Sequence, residues 1–225
     1  MSSYQEKIHR IIGNTITATV PLALWTGLRD SVQWAYAEAY DSTKHDTRIV
    51  ESQRRFKAAS DRHFLTEFAM SRVAKEVGAT FTPGLVQENG WRFGLLSAGK
   101  IAFTQKCITH YGEMPPAGKF RETLAVSNEF IRQGKLAFMQ DAAKVSDADI
   151  NGILVHCPET RNFENAAFKN PSFICLAVPL ADYSDWAARF ELSELIASYD
   201  VIKAPRKDLA PKWKKTRRGE TGDDA

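Results

Sequence analysis

The residues best suited to chemistry form the run His156-Cys157-Pro158-Glu159, which follows the apolar stretch 153–155. Functional side chains are common where a strand runs out into a loop, because the scaffold fixes them while the loop admits a ligand. A histidine close to a cysteine can activate it as a thiolate nucleophile, so a small hydrolase or transferase is one interpretation. Adjacent strand residues point to opposite faces, however, so His156 and Cys157 are expected to have structural roles.

Two residues of the next candidate loop, His110 and Glu113, could join this site. Cys107 and His110 also have the two-residue gap of a zinc ligand pair, and His156 with Cys157 could supply the other half. Structural zinc sites usually draw each pair from a tight turn or a helix, which neither pair has here. We therefore predict no metal and no cofactor.

Named catalytic motifs are absent from the sequence. It has no phosphate-binding loop, dinucleotide fingerprint, HExxH zinc motif, CxxC pair or GxSxG nucleophile elbow. The stretch 103–106 also lacks the carboxylate that many metal-dependent nucleases place on a strand of this kind. This pattern argues against a standard nuclease.

The strongest functional signal is a basic tail. Residues 203–218 hold eight Lys or Arg against one acid, although the whole chain has a net charge of only +3. Such cations can neutralise phosphates, and an aromatic ring among them can stack on an exposed base. The predicted nucleic-acid contacts are Lys212, Trp213, Lys214, Lys215, Arg217 and Arg218. A solubilising tail and attraction to an anionic membrane surface are the alternatives.

Helical periodicity dominates residues 1–78. One helix is predicted over 21–40, a second over 47–59, and a third from Ser60 as N-cap to Gly78 as C-terminal cap. The first helix should bury Trp25, Leu28, Val32, Ala35, Tyr36 and Ala39. The inward residues predicted for the other two are Ile49, Val50, Phe56, Phe64, Leu65, Phe68 and Val73. Residues 71–86 faintly resemble a helix-turn-helix, but Pro83 and Gly84 favour a helix end that leads into a strand.

The periodicity changes to that of strands in the middle of the chain. Residues 91–108 should form a β-hairpin whose turn includes Gly99, preceded by a strand over 81–87. A helix over 119–132, strands over 150–157 and 172–178, and a last helix over 185–199 capped by Ser184 follow. The core face of that last helix should comprise Leu192, Leu195, Ile196 and Tyr199.

Composition and cysteine usage indicate where the protein works. Three widely spaced cysteines argue against a disulfide framework and for a reducing compartment. The first residues lack a secretory signal pattern, and the apolar stretch 20–25 is too short to span a bilayer. We therefore expect a soluble cytoplasmic protein that does not enter a membrane.

Together these features predict an α+β fold, because the elements do not alternate as strand and helix. A helical N-terminal third (residues 1–78) should pack on a mainly antiparallel sheet of about five strands within residues 79–200. A C-terminal helix should close this single domain, followed by a disordered basic tail over 201–225. The leading functional hypothesis is a non-catalytic, nucleic-acid-associated protein with a regulatory or accessory role, binding DNA or RNA through the tail. The rivals are the hydrolase or transferase described above and a module that oligomerises, or binds a protein partner, through the N-terminal helices.

Overall fold

One six-stranded mixed sheet and five α-helices make up residues 3–86, 90–129, 131 and 150–203, which are the residues that the computed structural model describes. The helices are α1 (Ser3–Thr19), α2 (Leu22–His45), α3 (Glu51–Val77), α4 (Lys119–Ala125) and α5 (Leu192–Lys203). The strands are β1 (Thr80–Val86), β2 (Trp91–Ala98), β3 (Ile101–Cys107), β4 (Ile150–Pro158), β5 (Pro171–Pro179) and β6 (Trp186–Glu191). The α+β prediction is confirmed, with six strands rather than about five.

The strands lie in the sheet in their order along the chain, from β1 to β6. Every neighbouring pair is antiparallel except β3 and β4, which run parallel, with Cys107 opposite His156. The two central strands therefore end at the same edge of the sheet. This edge is where the candidate site lies.

The two faces of the sheet carry different layers. On one face, Phe103, Leu154 and Leu176 join the large apolar core built with α1, α2, α3 and α5, where the Trp25 ring lies 5.7 Å from that of Phe103. On the other face, a smaller cluster contains Cys175 and Ala125, the last residue of α4. Neighbouring residues of β4 therefore contact different layers, as the strand period requires.

The prediction for α2 is confirmed in both its position and its buried face. The helix begins just after Pro21, whose fixed backbone angle suits a helix start. The apolar stripe is buried throughout; its members are Trp25, Leu28, Val32, Ala35, Tyr36 and Ala39.

Residues 47–78 differ from the prediction of two helices. A single helix, α3, runs from Glu51 to Val77 through Ser60, because no residue in this stretch stops a helix. Gly78 ends it with a left-handed backbone (φ 73°), as predicted. The buried face of this helix was also predicted wrongly in part. Val73 is buried, but the side chains predicted to face inward at Val50, Phe56, Phe64 and Phe68 are exposed.

The predicted hairpin is present, with β2 and β3 antiparallel and Gly99 in the turn at φ 55°. A β-carbon at Gly99 would lie 2.3 Å from the carbonyl oxygen of Thr19, so the turn presses against the end of α1. The strand expected before the hairpin is also confirmed, as β1.

The predicted helix over 185–199 is wrong in its first half. Residues Trp186–Glu191 form β6, which pairs with β5, and α5 begins at Leu192. Burial in β6 alternates, with Ala188 and Phe190 inside, so pairing with a buried neighbour overrides helix propensity there. In α5, the predicted core residues Leu192, Leu195 and Tyr199 are buried.

The helix predicted over 119–132 is interrupted: α4 ends at Ala125, a 3₁₀ turn follows over Val126–Asn128, and Glu129 and Ile131 are helical again. Residues 130 and 132 lie outside the described residues. The Asn128 side chain is buried, donates to the carbonyls of Asn151 and Pro179, and accepts from the Asn151 amide. These bonds tie the turn to β4 and β5.

Within the described ranges, no single helix is long and apolar enough to cross a membrane; α1 and α2 reach that composition only as a pair bent by 100°. The division into a domain over residues 1–200 and a tail over 201–225 stays a prediction.

Candidate functional site

A cleft of about 150 Å³ opens at the sheet edge where β3 and β4 end. Its walls come from α3 and from the loops that follow these two strands; the lining residues are Arg55, Ala59, Arg62, Cys107, Ile108, Thr109, Pro158, Arg161 and Phe168. The carboxyl ends of neighbouring parallel strands are a favoured place for ligands in open sheets. We call this feature the arginine cleft, after Arg55, Arg62 and Arg161.

Arg62 is the most unusual residue of the cleft because its charge is almost completely buried. Only 2% of the residue is exposed. Its guanidinium carbon lies 4.2 Å from the centre of the Tyr36 ring and 4.7 Å from that of Phe168. Nη1 lies 3.7 Å from the Cys107 sulfur, and Nε has no hydrogen-bond partner among the described residues.

The other two arginines lie at the mouth of the cleft and are exposed. Arg161 donates from Nη2 to the Thr109 carbonyl at 3.3 Å. None of the three arginines forms an ion pair within the described part of the chain, and none of the lining residues is acidic. The cleft is therefore a concentration of uncompensated positive charge, suited to an anion that accepts several N–H donors.

Behind Arg62 lies His156, the histidine that the sequence singled out. It is fully buried, and its Nδ1 lies 2.8 Å from the Tyr36 hydroxyl. Burial lowers the pKa of His156 to about 3, with Arg62 acting in the same direction, and burial also raises the pKa of Tyr36 well above its usual range. Both groups are thus neutral at pH 7, with the Tyr36 hydroxyl donating to the imidazole.

The hydrogen bonds continue from His156 along the inner face of the sheet. Its Nε2 lies 3.1 Å from Oε1 of Gln105, whose Nε2 lies 2.5 Å from Nδ1 of His63. Nε2 of His63 then faces Oε1 of Glu67 at 3.7 Å, and that oxygen accepts the Gly94 amide. We call Tyr36, His156, Gln105, His63 and Glu67 the buried polar network.

The partners of this network determine which nitrogen of each ring carries a proton. Since the Gln105 carbonyl accepts from His156, the proton of that ring lies on Nε2. Since the Gln105 amide donates to His63, Nδ1 of that ring is the acceptor. Each group from Tyr36 to Gln105 therefore donates to the next one along the network. The bond from the Tyr36 hydroxyl to His156 fixes the tyrosine ring, and the guanidinium of Arg62 lies over that ring.

The catalytic candidates His156 and Cys157 lie on opposite faces of β4, as the strand period predicts. His156 faces α2, whereas the Cys157 sulfur lies 3.3 Å from the Thr109 carbonyl. Burial raises the pKa of the Cys157 thiol, which favours the protonated form over the nucleophilic thiolate.

The remaining candidates pair locally. Nδ1 of His110 lies 3.3 Å from a carboxylate oxygen of Glu113, and Thr109 donates its hydroxyl and its amide to the same oxygen. The hydrogen bond from the Thr109 hydroxyl is the main cause of the lowered pKa of Glu113. Glu159 accepts a long bond of 3.4 Å from Asn170. The structure thus places these residues at one sheet edge without directing them into one pocket, and the hydrolase or transferase hypothesis stays a prediction.

No three His, Cys, Asp or Glu side chains lie together in a way that could hold a metal ion, as far as the structure describes the chain. The sequence-predicted nucleic-acid contacts lie outside the described residues; they are Lys212, Trp213, Lys214, Lys215, Arg217 and Arg218.

Sequence reasoning missed the arginine cleft, although one signal could have found it. Ala58, Arg62 and Thr66 follow one another at four-residue steps and are all buried, so Arg62 occupies a core position of α3. A charged residue at such a position needs a partner or a ligand. Arg55 and Arg161 carry no comparable signal, because only the fold brings them beside Arg62.

No protein-family model matches this chain, and neither the curated proteins nor the solved structures include a significant match.

Proposed function

We propose that the protein is a non-catalytic, nucleic-acid-associated protein that holds phosphates in the arginine cleft and along its basic tail. The observation that carries this proposal is the buried guanidinium of Arg62, which opens on a cleft with two further arginines and no acid. We expect a regulatory or accessory role, in which the folded part positions one phosphate and the tail extends the contact.

The argument for an anion begins with the energetics of burial. Moving a charge out of water costs several kcal/mol unless a counter-charge and hydrogen bonds compensate it. The two rings beside Arg62 supply part of this compensation, since a desolvated cation–π contact contributes about 2 kcal/mol. Its Nε hydrogen remains without an acceptor among the described residues. A phosphate oxygen would provide both the counter-charge and the acceptor.

The composition of the basic tail indicates which kind of anion the cleft binds. A single phosphate site fits many ligands, but residues 203–218 add eight cations and Trp213 to the same chain. Repeated phosphates with exposed bases are the partner that matches a run of cations interrupted by an aromatic ring. Phosphate contacts position a protein without reading bases, so we expect little sequence preference.

The test is the salt dependence of oligonucleotide binding by the full chain, measured by fluorescence anisotropy. If about four tail cations and the two exposed cleft arginines engage duplex DNA, the slope of log K against log salt should be about −5. A variant with Arg55→Gln and Arg161→Gln should reduce the magnitude of that slope by about 2. Arg29→Gln is the control: it removes a half-buried arginine of α2 that is paired with Asp30, and it should leave the slope unchanged.

A tail variant separates the two contributions. Gln at Lys212, Lys214, Lys215, Arg217 and Arg218 should flatten most of the remaining slope and weaken binding about equally for all sequences. If both the cleft variant and the tail variant bind as tightly as the parent at low salt, the proposal is wrong. The tail would then be a solubilising segment.

A further inference from the structure

The arginine cleft is small compared with a nucleic-acid strand. Its volume of about 150 Å³ equals that of about five water molecules at roughly 30 Å³ each. A phosphate group fits into such a space, whereas a nucleotide with its sugar and base is several times larger. A strand can therefore place in the cleft only a phosphate that projects from the rest of the molecule.

The arginines of the cleft lie at different depths. Arg62 is only 2% exposed, and its guanidinium carbon lies within 4.7 Å of the ring centres of Tyr36 and Phe168. Arg55 and Arg161, by contrast, are exposed at the mouth. An anion that contacts the arginines at both depths must enter from the mouth with its free oxygens first.

A terminal phosphate meets this requirement better than an internal one. An internal phosphodiester continues into a sugar on each side, and both sugars must stay outside a cleft of this volume, which keeps the phosphate at the mouth. A terminal phosphate monoester is joined to the strand through a single oxygen. Its other three oxygens can therefore enter the cleft and approach Arg62.

The charge of the ligand favours the same choice. A phosphate monoester carries about −1.5 to −2 charges at pH 7, whereas an internal phosphodiester carries about −1. The cleft is lined by three arginines and no acidic residue. Arginine binds anions with several free oxygens through pairs of parallel N–H donors. Both the additional charge and the additional free oxygen of a terminal phosphate would thus find partners here.

We infer that the arginine cleft binds the terminal phosphate of a nucleic-acid strand, so that the protein recognises phosphorylated strand ends. This inference rests on the proposed function and narrows the ligand of the cleft from any phosphate to a phosphate monoester at a strand end. The basic tail then contacts phosphates further along the same strand. A duplex should accordingly use the cleft fully only when its ends carry phosphate.

Fluorescence anisotropy of the full chain with three single-stranded oligonucleotides of one sequence tests the inference. One probe carries a 5′-phosphate, one a 3′-phosphate, and one a hydroxyl group at both ends, and all are labelled at an internal base. At least one phosphorylated probe should bind about tenfold or more tightly than the hydroxyl probe, because arginine–phosphate hydrogen bonds are charge-assisted.

The variants locate the source of this preference. Arg55→Gln combined with Arg161→Gln should remove it, and so should Arg62→Gln. The double variant changes only exposed side chains, so it tests the inference even if Arg62→Gln fails to fold. Arg29→Gln is the matched control and should keep the preference. A preference that survives in the double variant overturns the inference.

Inorganic phosphate, used as a competitor, separates a strand end from a free phosphate. It should displace the phosphorylated probe only at concentrations about a hundredfold or more above the dissociation constant of that probe, because it has no strand for the tail to contact. If inorganic phosphate binds as tightly as the phosphorylated probe, the inference is wrong and the cleft is a site for a small phosphate.

The same measurements distinguish this inference from the proposed function. If phosphorylated and hydroxyl probes bind equally well while Arg55→Gln with Arg161→Gln still reduces the salt dependence, the inference is wrong and the proposed function stands. If no probe binds at low salt, both are wrong.

Discussion

The Tyr36 hydroxyl donates a hydrogen bond of 2.8 Å to Nδ1 of His156, and this contact joins α2 to a central strand of the sheet. It is fully buried, and the same tyrosine ring supports the guanidinium of Arg62. Tyr36 therefore contributes both to the packing of the fold and to the candidate site. A change that frees this ring should affect both the stability of the fold and the shape of the arginine cleft.

We expect His156→Ala to destabilise the protein by about 2–4 kcal/mol, because it leaves a cavity and two buried groups without partners. The measurement is urea unfolding followed by circular dichroism. His110→Ala is the control: that side chain is exposed, so its replacement should change stability by no more than about 0.5 kcal/mol. A loss below 1 kcal/mol for His156→Ala would mean that the buried polar network contributes little, on the scale of an ordinary hydrogen bond of about 1 kcal/mol.

The free energy of unfolding should decrease as the pH is lowered, because the same histidine titrates differently in the folded and unfolded states. The folded protein keeps His156 neutral down to about pH 3, whereas the unfolded chain takes up a proton near pH 6.5. The unfolded state thus binds more protons between these values, and stability decreases as the pH falls through this window. From pH 7 to 4.5 the loss from His156 is about 2–3 kcal/mol. In the His156→Gln variant, this part of the dependence of unfolding free energy on pH should disappear. If the dependence is unchanged, it comes from other titratable groups.

Gly99→Ala should destabilise the protein by about 2–4 kcal/mol, through a left-handed backbone and overpacking. The new β-carbon would lie 2.3 Å from the Thr19 carbonyl oxygen. Gly78→Ala separates the two effects: its φ is also positive, but nothing lies within 4 Å, so we expect about 1 kcal/mol. Thermal unfolding of both variants measures which one loses more stability. If both lose the same amount, the end of α1 moves away from the new β-carbon at little cost.

Trp213→Ala should weaken binding to single-stranded oligonucleotides by about 1–3 kcal/mol and binding to duplex DNA much less. The reason is that stacked base pairs offer no free base face to the indole ring. Anisotropy titrations with matched single-stranded and duplex probes measure the difference. Equal losses on both probes would indicate that Trp213 contacts the backbone or packs against the protein instead.

The elements that local pattern determines were predictable from the sequence. The β2–β3 hairpin follows from a change of period around a glycine that takes a positive φ, and α2 follows from a stripe that the fold buries completely. By contrast, β6 depends on pairing with β5, which residues 186–191 do not reveal by themselves. Phe64 and Phe68 of α3 were predicted to lie in the core but are exposed, because hydrophobicity alone does not tell which face of a helix is covered.

The candidate site was predictable only in part. His156 stood out as a strand-end histidine, but its burial depends on α2 lying across the sheet. The arginine cleft joins residues from three separate segments of the chain. The spacing of Ala58, Arg62 and Thr66 marks Arg62 as a core position. Only tertiary structure brings Arg55 and Arg161 beside it, so no spacing in the sequence could indicate those two residues.

The parallel pairing of β3 with β4 also bears on the order of assembly during synthesis. Among the described residues, the strand that follows β3 begins only at Ile150, so α2 and the first three strands leave the ribosome before β4 and β5 are synthesised. Long-range pairing of this kind forms slowly, because closing the loop costs entropy before contacts reward it. Until β4 and β5 are synthesised, the core that contains Trp25 and Phe103 lacks the apolar side chains of these two strands and stays partly exposed to solvent. Pulsed hydrogen exchange during refolding should accordingly show protection of α2 before protection of β4.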